Sequence, residues 1–189
     1  MKVAELFDLG GKVAIVTGGN GGLGLGMALG LAEAGANIVV AARNPDKTAQ
    51  ALQQIEALGV QARGLTVDVR QESSIRSMIA DAIDAFGRVD ILVNNAGISI
   101  RKQPQELSAD EWDQVLDVNL RAVFLASKEV YPHMKLQGGG KIINIGSMCD
   151  RLRSPREVEG TFLTVDVRIR GFSDEESQES VGLGGHWMQ

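Results

Sequence analysis

The stretch "KVAIVTGGNGGLGLGMALGLAEAGA" (12–36) constrains this chain more than any other. Its first part, 12–19, is a short apolar run ended by glycine and reads as a buried strand. Alanine and leucine recur at helical spacing over 24–36, with Gly35 as the C-terminal cap. Between them lies "TGGNGGLG" (17–24). Strand, glycine-rich turn and helix in that order open a βαβ unit. Glycines at 18, 22 and 24 let the backbone turn sharply and let a phosphate approach without Cβ contacts. The helix N-terminus then offers N–H groups and a positive dipole end to a pyrophosphate. A glycine cluster by itself is a turn; in this context it is a dinucleotide site. Gly18, Asn20, Gly22, Leu23 and Gly24 are therefore assigned to a cofactor.

The same rhythm continues. A strand is expected over 37–43, then a helix over 46–58 that begins at Pro45 and closes at Gly59. A third strand falls within 60–69. The helix 72–86 carries Ile75, Ile79, Ala82, Ile83 and Phe86 on one stripe. A strand at 89–97 precedes a long helix at 108–135, where Ser108 and Glu111 form a capping box. A turn and fifth strand occupy 138–147. Strands that read as continuous Val/Ile/Leu runs, alternating with helices, predict an α/β fold: a doubly wound, Rossmann-like parallel sheet that stops after its fifth strand. After residue 149 the rhythm fails. The expected organisation is a dinucleotide-binding domain at 1–149 and a divergent tail at 150–189. Within the tail, "FLTVDVRIR" (162–170) alternates like an edge strand and "SDEESQES" (173–180) reads as solvated.

Composition excludes some functions. The 189 residues carry a net charge of −5, with 44% apolar and 23% charged side chains. No basic excess invites nucleic acid or an anionic membrane. Cys149 is the single cysteine, so no intramolecular disulfide forms, which suits a reducing compartment. The first residues lack a long apolar core and no run approaches membrane-spanning length, so a cytoplasmic protein is expected. His133 and His186 have no partners at metal-ligand spacing, and no metal is expected.

The second strand ends "VVAARN". A cofactor with a free ribose 2′-OH usually meets an acid here, and a 2′-phosphate meets an arginine. Arg43 stands at that place, and Asp46 beyond Pro45 fits a helix N-terminus better. Arg43 thus favours NADP over NAD. On the long helix, Trp112, Val115, Leu116, Asn119 and Val123 share one face. An asparagine on an apolar stripe must find hydrogen bonds or cost stability.

Taken together, "TGGNGGLG", the "VDV" ending of strand three with Asp68, "NNAG" (94–97), Asn119, and "IINIGS" ending in Ser147 resemble the short-chain dehydrogenase/reductase family over about residues 8–149. The wording is similar to the sugar-acid and polyol dehydrogenases and the 3-oxoacyl carrier-protein reductases of that family. The resemblance implies that Asp68 and Val69 contact adenine. It implies that Asn95, Ala96 and Gly97 line the nucleotide pocket, with Asn94 bracing the central strand. It further implies that Ser147 holds the oxygen of a small carbonyl or alcohol substrate, and that Asn119 marks a helix kink holding a relay water. Oligomerisation through helix 108–135 is implied in the same way.

The family's acid/base is a tyrosine followed four residues later by lysine, about 13 residues after the serine. Here Gly160 and Thr164 hold those places, and the single tyrosine, Tyr131, precedes Ser147. The genetic code allows a reason. Read one base forward, codons permitted for 174–186 allow T-K-S-L-x-x-x-W-A-x-x-G-I, the family's usual wording there. Read two bases forward, those for 163–167 allow Y-S-x-x-K. Three readings stay open: an NADP-dependent oxidoreductase acting on a secondary alcohol or ketone, a catalytically inactive NADP(H)-binding module, and a frameshifted fragment.

Overall fold

A computed structural model describes residues 7–146. Five parallel strands alternate with helices: β1 Val13–Thr17, α1 Gly22–Glu33, β2 Asn37–Ala42, α2 Pro45–Glu56, β3 Ala62–Thr66, α3 Glu72–Phe86, β4 Ile91–Asn94, α4 Ala109–Leu116, α5 Ala122–Leu136 and β5 Lys141–Asn144. The sheet order is β3-β2-β1-β4-β5, and every pairing is parallel. The expected doubly wound fold is the one found. Ser147, Cys149, His186 and the tail with its candidate edge strand at 162–170 lie outside the described residues.

Pleating divides the strands between two cores, because successive side chains point to opposite faces. Val13, Ile15, Val39, Ala41 and Leu92 meet α3 and α5 through Ile75, Ile79, Leu125 and Val130. Ala14, Val16, Ile38, Val40 and Val93 meet α1 and α2 through Ala28, Ala32 and Ile55. Small alanines on α1 bring that helix close to the sheet. The central strands β1 and β4 are buried throughout. The two edge strands are only half covered: Arg63 and Gly64 of β3, and Lys141 and Ile143 of β5, face solvent. A parallel strand reads as fully apolar only when neighbours cover it on every side.

The helix expected at 108–135 differs from expectation in one respect. It begins as foreseen, with Ser108 Oγ accepting from the Glu111 amide and Glu111 bonding back to the Ser108 amide. Between α4 and α5, however, Asp117–Arg121 is wound as a π-turn, in which the Ala122 amide donates to the Asp117 carbonyl. A π-turn inserts a residue and rotates everything after it. The buried face is therefore Val118, Ala122, Leu125, Ala126, Val130 and Met134, while Trp112 is exposed and Val115, Leu116 and Val123 are only half-buried. A face drawn at a constant 3.6-residue period across the turn misses this.

Candidate functional site

The chain reverses direction across the sheet between β1 and β4, since β2 and β3 lie to one side and β5 to the other. Open α/β sheets take ligands at such a switch point, beyond the carboxyl ends of the strands. A cleft of about 340 Å³ opens there. Gly18 and Asn20 border it from the turn after β1, and Arg43, Asn44 and Lys47 from the end of β2 and the start of α2. Asp68 and Val69 border it after β3, Asn95, Ala96 and Gly97 after β4, and Val118 from the π-turn. Five sequence-distant loops thus bring eight of the expected residues to one place. A hollow of about 400 Å³ beside β3 and α3 is roomier but shares only Val67 and Asp68 with the cleft, and no glycine turn reaches it.

The three glycines divide the work unequally. Gly18 adopts φ +67°, and a Cβ there would lie 3.2 Å from Ala96 Cα. Gly22 adopts φ +53° and faces open space. Gly24 is buried in α1, and a Cβ on it would overlap the Gly18 carbonyl oxygen and stand 2.5 Å from Asn95 Nδ2. Its lack of a side chain lets α1 lie against the Gly18 carbonyl and the Asn95 side chain; the open approach for a phosphate is at Gly21 and Gly22. The N-terminus of α1 has no side-chain cap and no acid in its first turn, so its amides are available to an anion. Leu23 is exposed beside them. A pyrophosphate fits this turn.

Thr17 organises the opposite wall. Its hydroxyl donates to the Val93 carbonyl (3.3 Å) and accepts from the amides of Asn95 and Ala96 (3.0 Å each). Asn95 Nδ2 donates to the carbonyls of Thr17 (2.9 Å) and Gly18 (3.4 Å). "NNAG" is therefore stitched to the end of β1. Asn94 braces β4 as expected, donating to Asn144 Oδ1 at 2.9 Å and to Ser127 Oγ at 3.4 Å.

Asn119 sits within the π-turn. Its Oδ1 accepts from the Ile98 amide and its Nδ2 donates to the Ile98 carbonyl, both at 2.9 Å. Its side chain mimics a strand partner for one residue and fixes the segment leaving "NNAG". The kink is present around it, and its amide is spent on Ile98.

Two charges face each other where the cleft meets the end of β3. Arg70 forks onto Asp68 through Nε and Nη2, at 3.0 and 2.6 Å. That hydrogen bonding is the main cause holding the Asp68 carboxyl below its usual range; burial opposes it and Arg43 adds a weaker pull. Neither Arg43 nor Lys47 forms an ion pair among the described residues. Sequence reasoning singled out Arg43 but passed over Lys47, which borders the same cleft from the first turn of α2. It also passed over Thr17 and Ile98, whose roles depend on partners far away in sequence.

Residues 12–158 match the sequence model of the short chain dehydrogenase family. The 2-dehydro-3-deoxy-D-gluconate 5-dehydrogenase of Escherichia coli K12 is 45% identical over 147 residues, covering 77% of this chain and 57% of that protein. A short-chain type dehydrogenase/reductase from Mycobacterium marinum superposes with a TM-score of 0.78 at 36% identity, covering 82% of this chain and 63% of that one. The crystal structure of an NAD+-bound xylitol dehydrogenase gives 0.74 at 33%, covering 78% and 57%. The chain thus spans about three-fifths of the proteins it matches. Among the described residues no helix is long and apolar enough to cross a membrane. The glycine turn, the stitched "NNAG" loop and a match that runs through most of the sequence lead to one conclusion: this chain belongs to the short-chain dehydrogenase family.

Proposed function

We propose that the cleft binds a nicotinamide dinucleotide, NADP in preference to NAD, as part of an oxidoreductase that interconverts a secondary alcohol and a ketone. The observation that carries the cofactor choice is Arg43 at the end of β2 with Lys47 beside the same cleft and no acid bordering it from that segment. Two cations suit a 2′-phosphate, while a free 2′-OH is better met by a carboxylate. NAD, as held in the related xylitol dehydrogenase structure, is the competing cofactor. The relative named for 2-dehydro-3-deoxy-D-gluconate supports a sugar acid as substrate; polyol and oxoacyl substrates are the neighbouring classes.

In this reading Gly18, Gly22 and the amides opening α1 receive the pyrophosphate, with Leu23 against the ligand. Asp68 and Val69 meet the adenine, and Asn95, Ala96 and Gly97 line the remaining wall. The bound cofactor supplies or accepts the hydride. Ser147 holds the substrate oxygen, and Asn119 acts by position, keeping Ile98 at the edge of the cleft.

One observation favours a second reading, a nucleotide-binding module without turnover. The single tyrosine, Tyr131, lies on α5 about 18 Å beyond Asn119 along the helix axis. It cannot supply the proton at the cleft. General acid–base help is worth ~10²–10⁴ in rate, and turnover on sugar acids and ketones is expected to fall short by that factor. Sequencing codons 140–189 tests the frameshift account of the tail: codons that do not spell the shifted strings remove it. Titration with NADPH and NADH tests the cofactor. NADPH should bind more tightly, and Arg43→Ala should weaken NADPH about tenfold while changing NADH little. Tighter NADH binding, or no binding by folded protein, overturns the reading.

A further inference from the structure

Asn20 lies in the glycine-rich turn, yet its amide group points away from a phosphate role. Nδ2 is 3.2 Å from the Asn44 carbonyl and 3.1 Å from Thr48 Oγ1. The Thr48 hydroxyl itself lies 2.8 Å from the Asn44 carbonyl. The proton count fixes this triangle. A carbonyl only accepts, so Thr48 must spend its one proton on Asn44 and can only accept from Asn20. The end of Asn20 facing both atoms is therefore the NH₂, which donates into the triangle. Asn20 also borders the cleft, so the triangle ties a lining residue to the start of α2.

Thr48 is held rigidly enough to anchor such a contact. It is 5% exposed, and its methyl group fits a gap on β3 that exists because residue 64 is glycine: a Cβ at Gly64 would lie 2.6 Å from Thr48 Cγ2. Asn44 is fixed as well, since its Oδ1 accepts from the Lys47 amide as the N-cap of α2. The line Gly64–Thr48–Asn20 thus runs from the edge of the sheet to the turn after β1.

We propose that Asn20 and Thr48 are positioning residues that tie the glycine-rich turn to the Arg43–Lys47 segment, so that the pyrophosphate end and the ribose end of the cleft are held as one unit. The inference rests on the nucleotide reading for its ligand, but the tether exists without one.

The test uses the full chain in two arms. In the first, NADPH and NADH are titrated into the wild type, Asn20→Ala, Asn20→Asp, Thr48→Val, Thr48→Ser and the Asn20→Ala/Thr48→Val pair. Asn20→Ala should weaken both cofactors about tenfold, and Thr48→Val about threefold. Thr48→Ser keeps the hydroxyl and should stay within about twofold. The double variant should be no weaker than Asn20→Ala, because one contact cannot be lost twice. Asn20→Asp keeps an acceptor but brings no donor to the triangle, so it should fare no better than alanine. In the second arm, hydrogen exchange of the cofactor-free protein should speed up at residues 18–22 in Thr48→Val and not in Thr48→Ser. Additive losses, failure of serine to rescue, an Asn20→Asp that binds like the wild type, or unchanged exchange would each overturn the tether. Wild-type protein that takes neither cofactor would sink the nucleotide reading, and the exchange arm would still decide the tether.

Discussion

Two aspartate–arginine pairs stand at opposite ends of the sheet, in mirrored wording: "DVR" at 68–70 and "RVD" at 88–90. At the carboxyl end, Arg70 forks onto Asp68 at the lip of the cleft, where both side chains keep substantial contact with water. At the amino end, Asp90 is 10% exposed and collects four donors: Arg88 Nε and Nη2 at 2.7 and 2.6 Å, the Val13 amide at 3.0 Å and Lys12 Nζ at 3.3 Å. Its backbone adds bonds to Val13 and Lys141, so one residue closes β1, β4 and β5 together. The same chemical pair serves structure where it is buried and surrounded. Where it is open and single, it stands beside a binding cleft. Sequence pattern alone does not separate the two; burial and the number of partners do.

The largest effect is expected at Asp90. Asp90→Ala strands a buried amide at Val13 and leaves Arg88 and Lys12 without their acid. Removing one partner of a buried pair costs ~3–5 kcal/mol, and a lost hydrogen bond about 1 kcal/mol. Because Arg88 and Lys12 reach water, a loss of about 2–3 kcal/mol is expected, read by urea unfolding. Cofactor affinity should stay within about twofold, since the site lies at the other end of the strands. The acid limb of stability gives a second reading. Burial raises the Asp90 pKa, but the Arg88 hydrogen bonds, the Val13 amide and Lys12 outweigh it and leave the carboxyl below its ordinary value. A lowered folded pKa means the stabilisation is complete above the unfolded value, near ~4, and is lost as pH falls through the folded value. Asp90→Asn should flatten that acid loss. An Asp90 variant that spares stability and abolishes NADPH binding would invert the assignment of the two ends.

Gly24→Ala strikes the other end. The new Cβ would overlap the Gly18 carbonyl oxygen and crowd Asn95 Nδ2, neither of which can swing away without breaking the stitching of "NNAG" to β1. Overpacking of this kind costs ~1–3 kcal/mol. NADPH affinity should fall about tenfold or more, with a smaller fall in Tm than in Asp90→Ala. A variant with normal affinity and only lowered Tm would make Gly24 a packing residue with no bearing on the site.

These contrasts show what the sequence carried and what it withheld. The βα rhythm was legible because each element announces itself locally: glycine after β1, Pro45 opening α2, the Ser108–Glu111 capping box. The cleft was legible as a set because strands in a parallel sheet must end at one rim, so Gly18, Arg43, Asp68 and Asn95 had to meet. The two jobs of the glycines were not, since Gly22 and Gly24 look alike until the Gly18 carbonyl is found against one of them. The resemblance placed a kink at Asn119, but the apolar spacing of 108–135 did not show that it is a π-turn. Asp117, Val118 and Asn119 are weak helix formers, which marks a soft place but not its geometry, and the partner of Asn119, Ile98, lies 21 residues away. Thr17 and the Asn20–Thr48 pair carry no local signal, since the partners lie 76 residues and more away for the first and 28 residues away for the second.

The smallest effect is expected at Asp68. An exposed ion pair contributes little to stability, because water screens it and ordering two side chains opposes it. Asp68→Asn should therefore move Tm by no more than roughly 2 °C. Its consequence belongs to the cleft instead. Without the Asp68 charge, Arg43 loses the carboxylate that pulls on it across the cleft, and Arg70 loses its fork partner. Both changes favour a phosphorylated ribose, so NADPH should bind about twofold to threefold more tightly relative to NADH, an advantage that shrinks with added salt. The direction of that ratio is the sharp part. A stability loss as large as that of Asp90→Ala would mean that the two pairs do the same work, and a swing toward NADH would mean that Asp68 does not act on the cofactor through its charge.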